Sequence, residues 1–232
     1  LVAIITGDGQ ERVFLHSAAI TLLTGTILYW GLKKADGEIG HREGFGIVTI
    51  GWVVFALAGA LPYLFSHTTN HWVDAFFESM SGFTTTGATI MTQIETLPKS
   101  ILFWRSLTQW IGGMGIIVLT IAILPLLQVG GNQLFHAEAP GPNKDRLQPR
   151  IQETAKVLWG IYVGLTVTLF LLLWAGGLSV FEAICHALTT TATGGFSTRN
   201  ASVGHFGLPF VEWVIIFYTV SYTHLTLPTN DQ

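Results

Sequence analysis

The chain has 232 residues, of which 50% are hydrophobic and only 11% charged, and its mean hydropathy is +0.52. So few charged groups cannot coat a water-soluble globule of this size, which makes lipid the main solvent to consider. A net charge of −3 with scattered Lys and Arg gives no footprint for nucleic acid, and the single cysteine, Cys185, excludes a disulfide framework and a multi-cysteine metal site.

From the amino terminus, Leu1 to Arg12 lacks the basic start, short apolar run and small-residue cleavage site of a signal peptide. Beginning on Leu rather than Met, the chain reads as cut at its front. Val13 to Leu32 is apolar and interrupted only by His16, and Phe45 to Phe65 carries no formal charge, so each is predicted to span a bilayer. His71 to Phe83 is less apolar and about a dozen residues long; at ~1.5 Å per residue, a helix there crosses half a bilayer and must turn back. Ile101 to Val129 carries one early charge, Arg105, and is predicted to span. The polar, Pro-containing linker Ala139 to Pro149 then separates two membrane units. Val157 to Leu178 is an uncharged span, Ser179 to Thr190 is a second half-length stretch, and Leu208 to Tyr222 is a short span with Glu212 that looks truncated.

Reading the half-length stretches as re-entrant hairpins puts Lys33–Gly44 and Gly130–Lys156 on one side of the membrane and both hairpins on the other. The first set carries Lys33, Lys34, Arg42, Lys144, Arg146, Arg150 and Lys156, against Arg12, Lys99 and Arg199 on the hairpin side. The positive-inside rule makes the first set cytoplasmic, with the hairpins and the amino terminus external.

Laying the second half over the first so that Trp159 falls on Trp52 brings Thr191 onto Thr84, Thr193 onto Thr86 and Gly194 onto Gly87. Each unit then reads span, half-helix, Thr- and Gly-rich strand, span. Two apolar segments aligned by chance also share Thr and Gly, but here repeat and topology agree independently, which argues for duplication.

The chemistry is expected in the two unwound segments, Ser81 to Thr89 and Thr189 to Thr198. Thr is β-branched and Gly permissive, so these runs suit an extended backbone whose carbonyls can face one side. Such a backbone at membrane depth is tolerable only where protein buries it or where it lines a wet cavity. Carbonyls lining an ion path replace a cation's hydration, and the negative end of the preceding half-helix favours positive charge there. The plainer reading of one Thr/Gly run is an ordinary loop; two in register favour a filter.

Other residues are read more conservatively. Gly112, Gly113 and Gly115 lie in a full span and are taken as sites of close helix contact. His67 and His71 have the spacing of a metal or haem pair but sit at the interface as polar residues. Arg105 is expected to snorkel to the outer interface, with an electrostatic role at a pore mouth as the alternative. Glu78 and Glu182 either attract cations or accept hydrogen bonds from loop backbone, and the residues alone do not choose. Cys185 and His186 are packing residues.

Several stretches resemble the Trk-type potassium uptake family, the TrkH transmembrane subunits of the TrkH/KtrB/HKT superfamily. They are Asp74 to Gly82 followed by Thr84 to Thr89, Gln109 to Leu119, Ala137 to Pro142, Pro149 to Lys156 and Gly194 to Thr198, and the resemblance covers about Val13 to Val214. It implies an all-α integral membrane fold of span/pore-helix/span repeats with re-entrant pore loops, two repeats plus one preceding span. It places the ion-coordinating carbonyls on Thr85, Thr86, Ala192 and Thr193, the filter glycines on Gly87 and Gly194, and the strand starts on Thr84 and Thr191. It also implies K+ as the transported ion, no organic cofactor and no enzymatic chemistry. Membrane lipid, a homodimer partner and the nucleotide-binding regulatory subunit TrkA in the cytoplasm complete the implied assembly, in a prokaryotic inner membrane.

The expected division is 1–44 (preceding span and cytoplasmic loop), 45–129 (first repeat), 130–156 (cytoplasmic linker), 157–217 (second, incomplete repeat) and 218–232 (a foreign or disordered tail). The family has four repeats where two are expected here, so two walls alone would not enclose an ion. The alternatives are a sodium-permeable or sodium-coupled relative and a non-conducting assembly piece. A haem or metal membrane enzyme is disfavoured because only His16 and His224 fall in candidate apolar stretches, unpaired.

Overall fold

A computed structural model describes residues 2–33, 41–127 and 144–226, with side chains described for 2–33, 43–115 and 156–221. Lys34 with the loop to Gly40, the end of the predicted third span at Gln128 and Val129, the linker from Gly130 to Asn143, and residues 227–232 of the tail lie outside the described residues.

Among the described residues every regular element is helical. In chain order they are α1 (Val2–Thr6), α2 (Glu11–Leu32), α3 (His41–Phe65), α4 (Trp72–Phe83), α5 (Lys99–Leu127), α6 (Lys144–Ala175), α7 (Val180–Thr191) and α8 (Pro209–Thr226). Single 3₁₀ turns occupy Ile94–Thr96 and Ser202–His205. Glu11–Leu32, Glu43–Phe65 and Lys156–Ala175 are each long and apolar enough to cross a membrane. Their large side chains face outward: Leu22, Leu23, Ile27, Ile50, Phe55, Val167 and Leu171 are all exposed, as lipid-facing residues are. The predicted spans and half-helices are therefore present as helices, the half-helices within a residue of their expected limits.

The part of the expected linker from Lys144 to Lys156 is helical and continuous with the span that follows it.

The two half-helices are held differently at their starts. At α4 the chain enters from an extended His71 (φ −120°, ψ 142°) with no side-chain cap. At α7, Ser179 accepts from the Glu182 amide and its hydroxyl meets the Glu182 carboxylate at 2.9 Å, the Ser-x-x-Glu pattern that satisfies free helix amides.

Packing places α4 between α3 and α5, and α7 between α6 and α8, with α5 also against α7. Ala60, Tyr63, Ala75 and Ile101 form one buried cluster, and Leu169, Leu173, Leu178, Ala183, Ala187 and Val211 another. In lipid the gain from such clusters is close-range dispersion rather than release of water. Trp104 Nε1 donates to Gly59 O at 3.0 Å, and Tyr162 Oη donates to Trp110 O at 2.9 Å, so α5 is tied to both units.

The outer loops lie together at one end. Ile94 N donates to Asn200 Oδ1 at 3.1 Å, and Asn200 N donates to Glu95 Oε1 at 2.8 Å. Asp8 Oδ2 accepts from Ser100 N at 2.8 Å at the start of α5, so the amino-terminal segment shares this end, as the alternation of spans requires. The amide of Asn200 holds the Glu95 carboxyl below its ordinary range, with Arg199 adding to the effect. A carboxyl depressed on folding stabilises above its unfolded pKa and loses that contribution as pH falls through the folded value. Acidification below the ordinary carboxylate range is therefore expected to loosen the loop pair. Spin labels at Thr92→Cys and Ala201→Cys check this: their distance should lengthen only below that range and stay constant between neutral and mildly acidic conditions.

Candidate ion-coordinating site

Both half-helices end in the same backbone device. After α4, Thr85 N donates to Gly82 O and Thr86 N to Ser81 O, each at 3.0 Å. After α7, Thr193 N donates to Thr190 O at 2.9 Å and Gly194 N to Thr189 O at 2.8 Å. These are paired Schellman closures, which need a left-handed residue just past the helix end, a place usually taken by Gly. Here Thr occupies it in both units, with φ 55° at Thr85 and 53° at Thr193. For a β-branched residue this conformation is strained by about 1–3 kcal/mol. Thr85→Gly and Thr193→Gly are each expected to raise stability by about 1 kcal/mol, the relieved strain less the larger unfolded-chain entropy of Gly. Thermal unfolding in detergent measures it, and unchanged or lower stability would show that the turn is not strained.

The closures correct the repeat register. The structural counterpart of Thr84 is Ala192, that of Thr85 is Thr193, that of Thr86 is Gly194, and that of Gly87 is Gly195, one residue further along than alignment on the tryptophans gives. Gly87 and Gly195 share left-handed φ values of 74° and 84°. Thr191, expected to start the second strand, is instead the last residue of α7, buried, its hydroxyl donating to Ala187 O at 2.8 Å. Gly195 was missed.

Donors and acceptors in these segments are unequally used. Amides of Thr84 to Gly87 and of Ala192 to Gly194 all donate back into their half-helix. Among the described residues, no hydrogen bond ends on the carbonyls of Thr84, Thr85, Thr86, Gly87, Ala192, Thr193, Gly194 or Gly195. Further along, Ala88 O, next in the first segment, accepts from Ser81 Oγ at 2.6 Å, and Ser197 O, two residues past Gly195 in the second, accepts from Arg105 Nη1 at 3.3 Å. A short ladder of free oxygens thus follows the partially negative end of each half-helix.

One face of α5 supports both ladders. Arg105, Thr108, Gln109, Gly112 and Gly113 recur at helical spacing, and all are buried. Gln109 Oε1 accepts from Phe196 N at 3.1 Å. A Cβ on Gly112 would stand 2.0 Å from Phe83 O, and one on Gly113 would stand 3.0 Å from Ala192 Cβ. The expectation of close packing holds at Gly112, Gly113 and Gly115: the end of the first half-helix lies against Gly112, Tyr162 Oη and the end of the second against Gly113, and Trp52 against Gly115. The segments also meet each other, since a Cβ on Gly87 would fall 1.9 Å from Gly194 O.

Arg105 does not snorkel. It is 1% exposed because it has buried partners: Glu78 Oε2 lies 3.6 Å from its Nε, Thr89 Oγ1 accepts at 3.2 Å, and the Phe196 ring centroid is 4.3 Å from its guanidinium carbon. Glu78, wholly buried, accepts from Thr89 Oγ1 at 2.5 Å and Ile90 N at 2.7 Å, so the backbone-binding alternative is realised there. Glu182 pairs with Arg199, accepting from its Nε at 3.0 Å. Cys185 and His186 are buried as expected, although His186 Nε2 also contacts Ser197 Oγ at 3.0 Å. His67 lies in the turn after α3 and His71 precedes α4, so they share no helix face.

Long spans, half-length helices ending in unwound Thr- and Gly-rich segments, and free carbonyls define the class: an all-α, multi-pass membrane protein built like an ion-conducting pore. The family model for TrkH, described as a cation transport protein, matches residues 10–221, and the chain belongs to this family of transporters rather than to any enzyme family. It is 52% identical over 224 residues to the Trk system potassium uptake protein TrkH of Salmonella typhimurium, covering 95% of this chain and 46% of that protein. Against TrkH of Vibrio parahaemolyticus the identity is 45% over 230 residues, covering 98% of this chain and 47% of that one. The crystal structure of the potassium transporter TrkH from Vibrio parahaemolyticus superposes with a TM-score of 0.81 at 40% identity, over 94% of this chain and 44% of that chain. The chain thus spans about half the length of the relatives it matches.

Proposed function

We propose that this chain supplies part of the wall of a potassium-conducting path in a Trk-type uptake system, with the carbonyls of Thr84, Thr85, Thr86 and Gly87 and of Ala192, Thr193, Gly194 and Gly195 replacing the ion's water. The observation that carries it is the unequal use of hydrogen-bonding groups, in which amides turn back into the half-helices while four successive carbonyls after each stay free. Free carbonyl rings suit a dehydrated monovalent cation, and the half-helix ends add negative potential. Potassium is the substrate named for the relatives, and K+ is cargo here rather than a resident metal. Residues 45–129 and 157–217 act as the two repeats, joined by a cytoplasmic linker. A second copy of the chain and a cytoplasmic regulatory subunit of the TrkA kind are the proposed partners, since the relatives are named as members of a system.

The test places residues 10–221 in the matching half of a Trk system TrkH and measures rubidium and sodium uptake in cells lacking other potassium uptake. Rubidium uptake above sodium supports the proposal; equal uptake favours a sodium-permeable path, and none favours an assembly role. The 232-residue chain alone is expected not to restore uptake, because two ladders do not close a ring.

A further inference from the structure

Arg105 stands at the only point among the described residues where one side chain bonds to both unwound segments. The position seven residues into each half-helix braces its own loop through a hydroxyl. In the first unit Glu78 Oε1 takes the Thr89 hydroxyl, and in the second His186 Nε2 meets the Ser197 hydroxyl at 3.0 Å. Thr89 and Ser197 are structural counterparts in the corrected register, and Arg105 lies between them. Its Nη2 donates to Thr89 Oγ1 and its Nη1 to Ser197 O, while its guanidinium covers Phe196. Thr89 Oγ1 also accepts from Met91 N at 3.1 Å, so one hydroxyl gathers the acid, the base and the outgoing chain. The planar, forked guanidinium fixes direction as well as distance, which an ammonium does not.

We propose that Arg105, charge-balanced by Glu78, is a positioning residue that sets the spacing between the two carbonyl ladders and thereby the discrimination between potassium and sodium. This rests on the function proposed above. A cross-tie this close to the ladders acts on ion preference because a looser pair of ladders can close around the smaller cation. The fully buried pair excludes water from the tie, so its geometry follows from protein contacts alone.

The experiment has two arms. In the uptake assay on the chimaeric transporter, Arg105→Lys is expected to lower the rubidium-to-sodium ratio on the order of tenfold, the scale of one charge-assisted hydrogen bond. Sodium uptake should rise or hold, a split that simple loss of folded protein does not give. Thr89→Val removes the shared hydroxyl, leaves the ion pair in place and is expected to shift the ratio in the same direction; it carries the readout if the lysine variant does not reach the membrane. An unchanged ratio in a variant that accumulates normally overturns the proposal while leaving the transport function standing. In the second arm, the 232-residue chain in lipid nanodiscs carries spin labels at Thr92→Cys and Ala201→Cys. Their distance distribution is expected to broaden and lengthen in Arg105→Lys and Thr89→Val, and an unchanged distribution overturns the cross-tie. If the unsubstituted chimaera does not prefer rubidium, the transport reading fails, and the distance arm alone decides whether Arg105 sets the spacing.

Discussion

Gly87→Ala is expected to abolish rubidium uptake, with a loss on the order of a hundredfold, the scale for displacing a positioned group by ~1 Å. Two independent constraints act at this residue. Its φ of 74° is strained for any residue with a Cβ, and that Cβ would lie 1.9 Å from Gly194 O. The oxygen belongs to a rigid backbone rather than to the end of a flexible side chain, so one of the two ladders must move. Gly195→Ala separates the constraints, since Gly195 has the same left-handed conformation at φ 84° but nothing within 4 Å of an added Cβ. Its uptake should fall far less. Equal losses at the two glycines would mean that backbone strain, and not the meeting of the ladders, explains the sensitivity.

Much of the membrane architecture was legible because the relevant signals are local. Length and hydropathy separate a span from a half-span and place both half-helices within a residue of their limits. The register of the second ladder was not legible, for a physical reason. Both halves contain a run of three threonines, but Thr84 to Thr86 lie outside their helix while Thr189 to Thr191 lie inside theirs. Composition ranks both runs as poor helix formers. Burial of Thr189, Thr190 and Thr191 overrides propensity, and their helix continues to the contact between Ala192 and Gly113. Tryptophan alignment could not detect this because the span runs further past Trp159 than past Trp52, by more than the shorter loop before α7 takes back.

Arg105 shows the other limit. Its charge near the end of a span was visible, but snorkelling is the default only for a residue without a buried partner. The partner, Glu78, sits on another helix, and sequence distance conceals it. A readable signal existed: Arg105, Thr108, Gln109, Gly112 and Gly113 form one polar and small-residue stripe along an otherwise apolar helix. Such a stripe implies something polar packed against it, and here it is the unwound backbone of both units.

The second large effect is expected from removing one half of the buried pair. Glu78→Leu leaves the guanidinium of Arg105 in a site with 1% exposure and no opposing charge, and removes the acceptor for Thr89 and Ile90. The loss should be about 3–5 kcal/mol, enough to lower accumulation in the membrane severely. The double variant Glu78→Leu/Arg105→Leu removes both charges and is expected to be more stable than Glu78→Leu alone, because no unpaired charge remains buried. Thermal unfolding of the two singles and the double in detergent gives the coupling, and additive losses would mean that the 3.6 Å approach of the charges carries no energy. The recovery should be confined to stability. With the cross-tie gone, the double variant should accumulate and still fail to prefer rubidium over sodium, because apolar packing can replace the pair's contribution to folding but cannot fix the direction of two carbonyl ladders.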